Sequence, residues 1–177
     1  MELKILTQEE KTQYRGAILA LLEESDEDFL PPLSRRRSTK DQTFSGEAVA
    51  GAGVLSYYEA MSRQEILAAA IDGELLGFVS FYENFEGGEA PSLYVSTLVV
   101  AKAARGHGLT SKMYAHLFYT LFPEHNVYTR TWSTNAAHTK ILARFGFAEW
   151  RRLPNDRGPG IDTVYFARLS KVPALSM

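Results

Sequence analysis

The sequence predicts a single α+β domain built on a mixed sheet, and three observations carry that prediction. Helical periodicity dominates the N-terminal third of the chain. Two strand-like runs then flank Asp72-Gly73, a strong two-residue hairpin signal. From Leu93 onward strand-like and helical stretches alternate, with a glycine-rich turn at the first strand-to-helix junction. The 177 residues contain no internal repeat, low-complexity run or linker, so residues 1–177 read as one domain with length for a substantial core.

Taken in order, Leu3 to Leu6 suits a short first strand, closed by Thr7, an N-cap with Glu10 three residues on. Tyr14, Ile18, Leu21 and Leu22 repeat at helical spacing until the acidic run Glu23 to Asp28 and Pro31-Pro32 end the helix. Residues 31–46 are polar, carry Arg35-Arg-Arg37 and read as a loop. A second helix is predicted over Glu47 to Arg63, although Gly51 and Gly53 each weaken it by roughly 1 kcal/mol relative to alanine. Ile66 to Ile71 and Leu75 to Tyr82 form the hairpin, and Glu86-Gly-Gly-Glu89 turns the chain into Leu93 to Val100. A helix over Leu109 to Phe122 carries Leu109, Met113, Leu117 and Leu121 on one stripe and stops at Pro123. Val127 to Trp132 is strand-like, Asn135 to Phe145 helical with Gly146 at its C′ position, and Phe147 to Leu153 and Thr163 to Leu169 complete the set.

Composition narrows the function. Hydrophobic residues at 45% and charged residues at 23% are those of an ordinary folded domain. A net charge of −2 argues against broad nucleic-acid or anionic-membrane binding, which wants a basic surface. With no cysteine, thiolate metal sites and acyl-cysteine intermediates are excluded. Met1 to Leu6 lacks a signal-peptide plan and no run approaches the ~20 apolar residues of a membrane span, so a cytoplasmic location is expected.

The chemistry concentrates in Ala103-Ala-Arg-Gly-His-Gly-Leu-Thr110. Glycines at 106 and 108 let backbone N–H groups converge on one point, and the following helix adds its first-turn donors and positive dipole end. Such a turn suits a phosphate-like anion, with Arg105 as a source of formal charge beside it. A Walker loop is excluded because Gly106 and Gly108 stand too close together and no Gly-Lys-Thr/Ser follows. A Rossmann fingerprint fails for want of its third glycine and of an acidic residue on a following strand.

A second constellation begins 27 residues after Gly108, where Asn135 opens a short helix that ends Phe145-Gly146-Phe147. Together the two resemble the GNAT superfamily of acetyl-CoA-dependent N-acetyltransferases. The family's first signature, Arg/Gln-x-x-Gly-x-Gly/Ala between a strand and a helix, reads here Arg105-Gly-His-Gly108-Leu-Thr110. Its second, a strand followed by asparagine at a helix start and Gly-Phe about a dozen residues on, reads Thr131-Trp-Ser-Thr-Asn135 through Gly146-Phe147. The resemblance covers about residues 65–170.

It implies a GNAT-like single domain: a mostly antiparallel central sheet with a splayed parallel strand pair and helices on both faces. It also implies acetyl-CoA as co-substrate, no metal, and acetyl transfer to a primary amine of a small molecule or peptide by direct attack in a ternary complex. By the same resemblance, Leu98, Val99 and Val100 pair with the pantetheine arm, and Arg105, Gly106, His107, Gly108, Leu109 and Thr110 hold the pyrophosphate. Asn135 and His138 lie along the cofactor arm, with Trp132 and Ser133 near the acetyl group or acceptor. No nucleic-acid or membrane partner is expected, and a homodimer stays open.

Two departures stand out. Thr110 replaces the usual glycine or alanine, so its hydroxyl either donates to the pyrophosphate or turns away. Leu142 occupies the place where many members carry a tyrosine that protonates the departing thiolate, which also admits a non-catalytic acyl-CoA sensor or interaction module. His138, one helical turn before Leu142, is a candidate substitute acid, against a packing role. Glu83, at the end of the second hairpin strand, is a candidate base, against a solvated surface carboxylate. The acidic run Glu23 to Asp28 and the aromatics Tyr57, Tyr58, Phe78, Phe81, Tyr82 and Phe85 are further candidates for the acceptor side, with solvation and core packing as the alternatives. Tyr94, Tyr128 and Tyr165 read as packing residues.

Overall fold

The computed structural model describes residues 1–40 and 51–170. Strand β1 (Glu2–Ile5) leads into helices α1 (Gln8–Gln13) and α2 (Arg15–Glu24), followed by two short 3-10 turns. Helix α3 (Val54–Met61) precedes the strands β2 (Glu65–Ile71), β3 (Glu74–Glu83) and β4 (Ser92–Val100). Then come α4 (Leu109–Ala115), β5 (Asn126–Trp132), α5 (Ala136–Arg144), β6 (Ala148–Leu153) and β7 (Thr163–Arg168). All seven strands join one sheet in the order β1-β2-β3-β4-β5-β7-β6, antiparallel throughout except for β4–β5.

Local chemistry explains most element ends. Thr7 caps α1 through a capping box: its Oγ1 accepts from Glu10 N at 3.2 Å, and Glu10 Oε2 accepts from Thr7 N at 2.9 Å. Asp72 and Gly73 both take positive φ, as the two-residue hairpin demands. The second predicted helix is shorter than its pattern: Gly51 takes φ 73° and α3 starts only at Val54, while residues 47–50 lie outside the described residues. The predicted helix over 109–122 is α-helical to Ala115 and then widens to a π turn over His116–Leu121, in which Leu117 and Phe118 are both buried.

The two-residue period of the central strands sorts the core onto two faces. Leu67, Ala69, Val79 and Phe81 pack under α4 and α5 with Met113, Tyr114, Leu117 and Leu142. Ile66, Ala68 and Phe78 point the other way, against Ile18, Leu22, Tyr57 and Met61 of α2 and α3. Tyr57, Phe78 and Phe81 are thus core, and Tyr82, Phe85, Tyr94 and Tyr128 form an aromatic cluster of their own, joined by Trp150. At one point β3 must be glycine. A Cβ on Gly77 would lie 2.7 Å from the Val99 carbonyl oxygen, so β3 lies directly against β4 there.

The feature that positions the site is where β4 and β5 part. They pair in parallel only from Ser92↔Asn126 to Val95↔Thr129. Beyond that point β4 stays with β3 as far as Gly77↔Val100, while β5 stays with β7 as far as Trp132↔Thr163. The β3–β4 register also slips by one residue at Ser96, a bulge at the apex of the opening.

Candidate active site

The parted strands enclose a cleft of about 380 Å³ lined on one side by Val95 to Val100 and on the other by Thr129 to Trp132. Backbone direction follows from register. Ala101 N donates to Leu76 O at 2.8 Å, so Val99, opposite Phe78, also faces β3. Leu98 and Val100 alternate with it and turn their amide groups toward the cleft, where β5 no longer offers partners. A ligand with amide groups can therefore add along β4 as a further strand.

At the end of β4 the chain passes through a 3-10 turn (Lys102–Ala104) into the glycine turn, which adjoins a second hollow of about 220 Å³ lined in part by Gly106, Gly108, Leu109, Thr110 and Ser111. Gly106 and Gly108 hold φ of 80° and 75°, and a Cβ on either would meet nothing within 4 Å. Among the described residues, the N–H groups of Gly106, His107 and Gly108 donate to no other backbone group, and the first intrahelical bond of α4 is Lys112 N to Gly108 O at 3.0 Å. A cluster of unspent donors at a helix start, with open space above it, fits a diphosphate.

Arg105 departs from its expected role. Its own N–H donates to Lys102 O at 3.3 Å. Its guanidinium points back into the protein, giving Nε to Val100 O at 3.0 Å and Nη2 to Ser25 Oγ at 3.2 Å and Asp28 at 2.8 Å. Arg105 therefore braces the turn while bordering both the hollow and the cleft, and Arg144, on the last turn of α5, borders the hollow as a second cation. His107 is exposed, its Nδ1 bonded to the Arg105 carbonyl at 2.9 Å. Thr110 borders both the hollow and the cleft.

Asn135 caps α5. Its Oδ1 accepts from His138 N at 3.2 Å and its Nδ2 donates to Thr131 Oγ1 at 3.0 Å, which fixes the amide at the cleft wall. Trp132 lines the cleft, whereas Ser133 is engaged with Asp162 through both its N–H and its hydroxyl. Glu83 is not a cleft residue. It lies opposite Leu93, near the closed end of the β4–β5 pair, half exposed and 3.6 Å from His125 Nε2.

Leu142 is fully buried in the core. Tyr114 of α4 and His138 of α5 are protic groups that both line the cleft, and they meet through Tyr114 Oη and His138 Nε2 at 2.9 Å. Burial raises the Tyr114 phenol well above its usual range, so it keeps its proton. Burial lowers His138 to about 4, so its ring is neutral near pH 7. Sequence reasoning missed Tyr114 because it sits beside the predicted stripe of α4; its spacing of four from Thr110 was the available signal.

The His138 shift has a consequence for stability. The unfolded chain takes up a proton near the ordinary value of 6.5, the folded one only near 4. This contribution is therefore complete above pH 6.5 and is lost as pH falls toward 4, by up to about 3 kcal/mol at roughly 1.4 kcal/mol per unit. Urea denaturation at pH 7.5 and 4.5 should show a smaller acid loss for His138→Gln than for the wild type. Equal losses would mean that another group titrates.

With this geometry in hand, comparison with known proteins is direct. Residues 20–147 match the model of the acetyltransferase (GNAT) family. No curated protein matches the sequence. Among solved structures, the chain resembles a ribosomal-protein-alanine N-acetyltransferase from Brucella melitensis at 20% identity and TM-score 0.64, covering 96% of this chain and 99% of that one. It also resembles the yncA protein of Salmonella typhimurium, solved with its cofactor acetyl-CoA, at 18% identity and TM-score 0.66, covering 100% and 98%. An N-acetyltransferase from Staphylococcus aureus aligns at 17% identity and TM-score 0.62 over 94% and 96%. At these identities the likeness is one of fold.

Proposed function

We propose that this chain, which belongs to the acetyltransferase (GNAT) family, moves an acetyl group from acetyl-CoA to a primary amine by direct attack within a ternary complex. The observation that carries this reading is the parting of β4 from β5, with the Leu98 and Val100 backbone turned into the opening and the unspent amides of Gly106 to Gly108 at its end. Leu98 and Val100 would hold the pantetheine arm, Val99 being turned to β3 instead, with the amides of Gly106 to Thr110 at the diphosphate and Asn135 at the adjoining wall.

When bound, acetyl-CoA supplies an activated thioester: the amine nitrogen bonds to the acetyl carbon, the carbon–sulfur bond breaks, and the nitrogen gives up one proton while the sulfur gains one. The chain's part is mostly placement, since aligned partners reach effective molarities of ~10⁵ M or more. An inward N–H of β4 near the Ser96 bulge polarises the reacting carbonyl. Tyr114 Oη, held by His138 Nε2, would give its proton to the departing sulfur in place of a tyrosine at position 142, and the proton released by the amine, carried through water, restores the phenol. Glu83, outside the cleft, is left without a role in this reading.

Two measurements on the wild type test the reading. Acetyl-CoA at 100 times its dissociation constant should add about 2.7 kcal/mol of stability. Free CoA should then appear when an accepted amine is added. Stabilisation without thiol release across a broad amine panel would make the protein an acyl-CoA sensor, and no stabilisation would remove the cofactor altogether.

A further inference from the structure

Three arginines from separate segments gather beside the part of the cleft that Phe29 and Trp132 border. Arg130, on β5, lines the cleft together with Phe29 and Trp132. Its Nη1 donates to Tyr165 Oη at 3.3 Å and its Nη2 to the carbonyls of Thr39 and Lys40 at 2.9 and 2.8 Å. A guanidinium carries five N–H donors, so these bonds leave two. Arg157, 3% exposed, lies over the Trp132 ring at 5.6 Å and donates to Thr163 Oγ1 and the Leu30 carbonyl. Arg36, 5% exposed, lies over the Phe29 ring at 5.6 Å. The two rings are themselves 6.2 Å apart, so a cation-backed aromatic wall borders the cleft.

Among the described residues Arg130 and Arg157 form no ion pair and donate to carbonyl and hydroxyl oxygens. Among the described residues, the carboxylates beside this group include Asp156, whose Oδ2 accepts from Thr163 Oγ1, and Asp28, already paired with Arg105. Arg157 is pushed down to about 9, first by burial and then by the charges of Arg36 and Arg130. Three of the five carboxylates in the acidic run that would suit a cationic acceptor are engaged in structure: Glu24 accepts from Lys102 N, Asp26 from Ser34 N, and Asp28 holds Arg105.

We propose that the acceptor is an amine that also carries an anionic group, a carboxylate or a phosphonate, seated against the Arg130 guanidinium with the Phe29–Trp132 wall beside its carbon skeleton. The inference rests on acetyl transfer at this same cleft. Planar guanidinium suits both oxyanions, and a positive field in a low-dielectric cleft selects against polyamines and basic peptides.

Free CoA release from the wild type tests it, using matched acceptors: α-amino acids, their carboxamides, aminoalkylphosphonates, a polyamine and a lysine-rich peptide. Anionic amines should exceed the matched carboxamides in kcat/KM by about 100-fold or more, and the carboxylate and phosphonate arms show which oxyanion is preferred. Arg130→Gln should shrink that preference to within about tenfold while acetyl-CoA still stabilises the protein. Should that variant not fold, carboxylates and phosphonates lacking an amine should inhibit the wild type competitively against the acceptor. Equal turnover of carboxamides or polyamines, or absence of that competition, overturns the charge assignment and leaves acetyl transfer standing. No CoA release with any amine overturns both.

Discussion

Replacing Gly108 by glutamate should weaken acetyl-CoA binding by at least about 1,000-fold. Gly108 caps α4 at φ 75°, and a Cβ there meets nothing within 4 Å, so the protein does not block the new side chain. The carboxylate instead enters the space above the Gly106–Gly108 amides and takes the donors meant for the diphosphate. Repulsion adds to that loss: two unit charges 4 Å apart at an effective dielectric of 20 cost about 4 kcal/mol, close to 1,000-fold. Titration calorimetry with acetyl-CoA measures the effect, with circular dichroism to verify folding. Gly108→Ala separates strain from charge, since it carries the unfavourable φ alone and should cost far less. Wild-type affinity in the glutamate variant would place the diphosphate elsewhere.

Tyr114→Phe should lower kcat by about 100-fold or more, the usual contribution of a positioned acid, and leave acetyl-CoA affinity within a few-fold. The phenol lines the cleft, keeps its proton because burial disfavours the phenolate, and is oriented by His138 Nε2 at 2.9 Å. Phenylalanine keeps the packing against Phe118 and Phe145 while removing only the hydroxyl. Steady-state kinetics under saturating acceptor would separate kcat from KM. A structural role would shift stability with kcat intact. His138→Gln should give a smaller loss, because it disturbs the orientation of the phenol and leaves its proton in place. An unchanged kcat in Tyr114→Phe would end the assignment.

Much of the fold was legible because its signals are local. Asp72-Gly73 turns where φ must be positive, Thr7 and Glu10 form the expected box, and Gly106 and Gly108 hold the backbone shape their spacing implied. Strand faces followed from the two-residue period, which put Ile66 and Leu67 on opposite sides. What escaped was set by tertiary partners. The direction of the Arg105 side chain depends on Ser25 and Asp28, about eighty residues away in sequence, and no local pattern encodes it. Tyr114 and His138 lie on different helices and meet only because α4 and α5 share one face of the sheet. Arg36, within a run that read as a solvated loop, is buried over Phe29 because the 3-10 turns fold it inward.

The Arg105 clasp also determines which residues can replace it. One planar head grips the last carbonyl of β4 and the hydroxyl and carboxylate that follow α2, so three chain segments share a single rivet. Lysine has one nitrogen to offer and would hold at most part of that triangle, leaving the floor beneath the two binding stations free to drift apart.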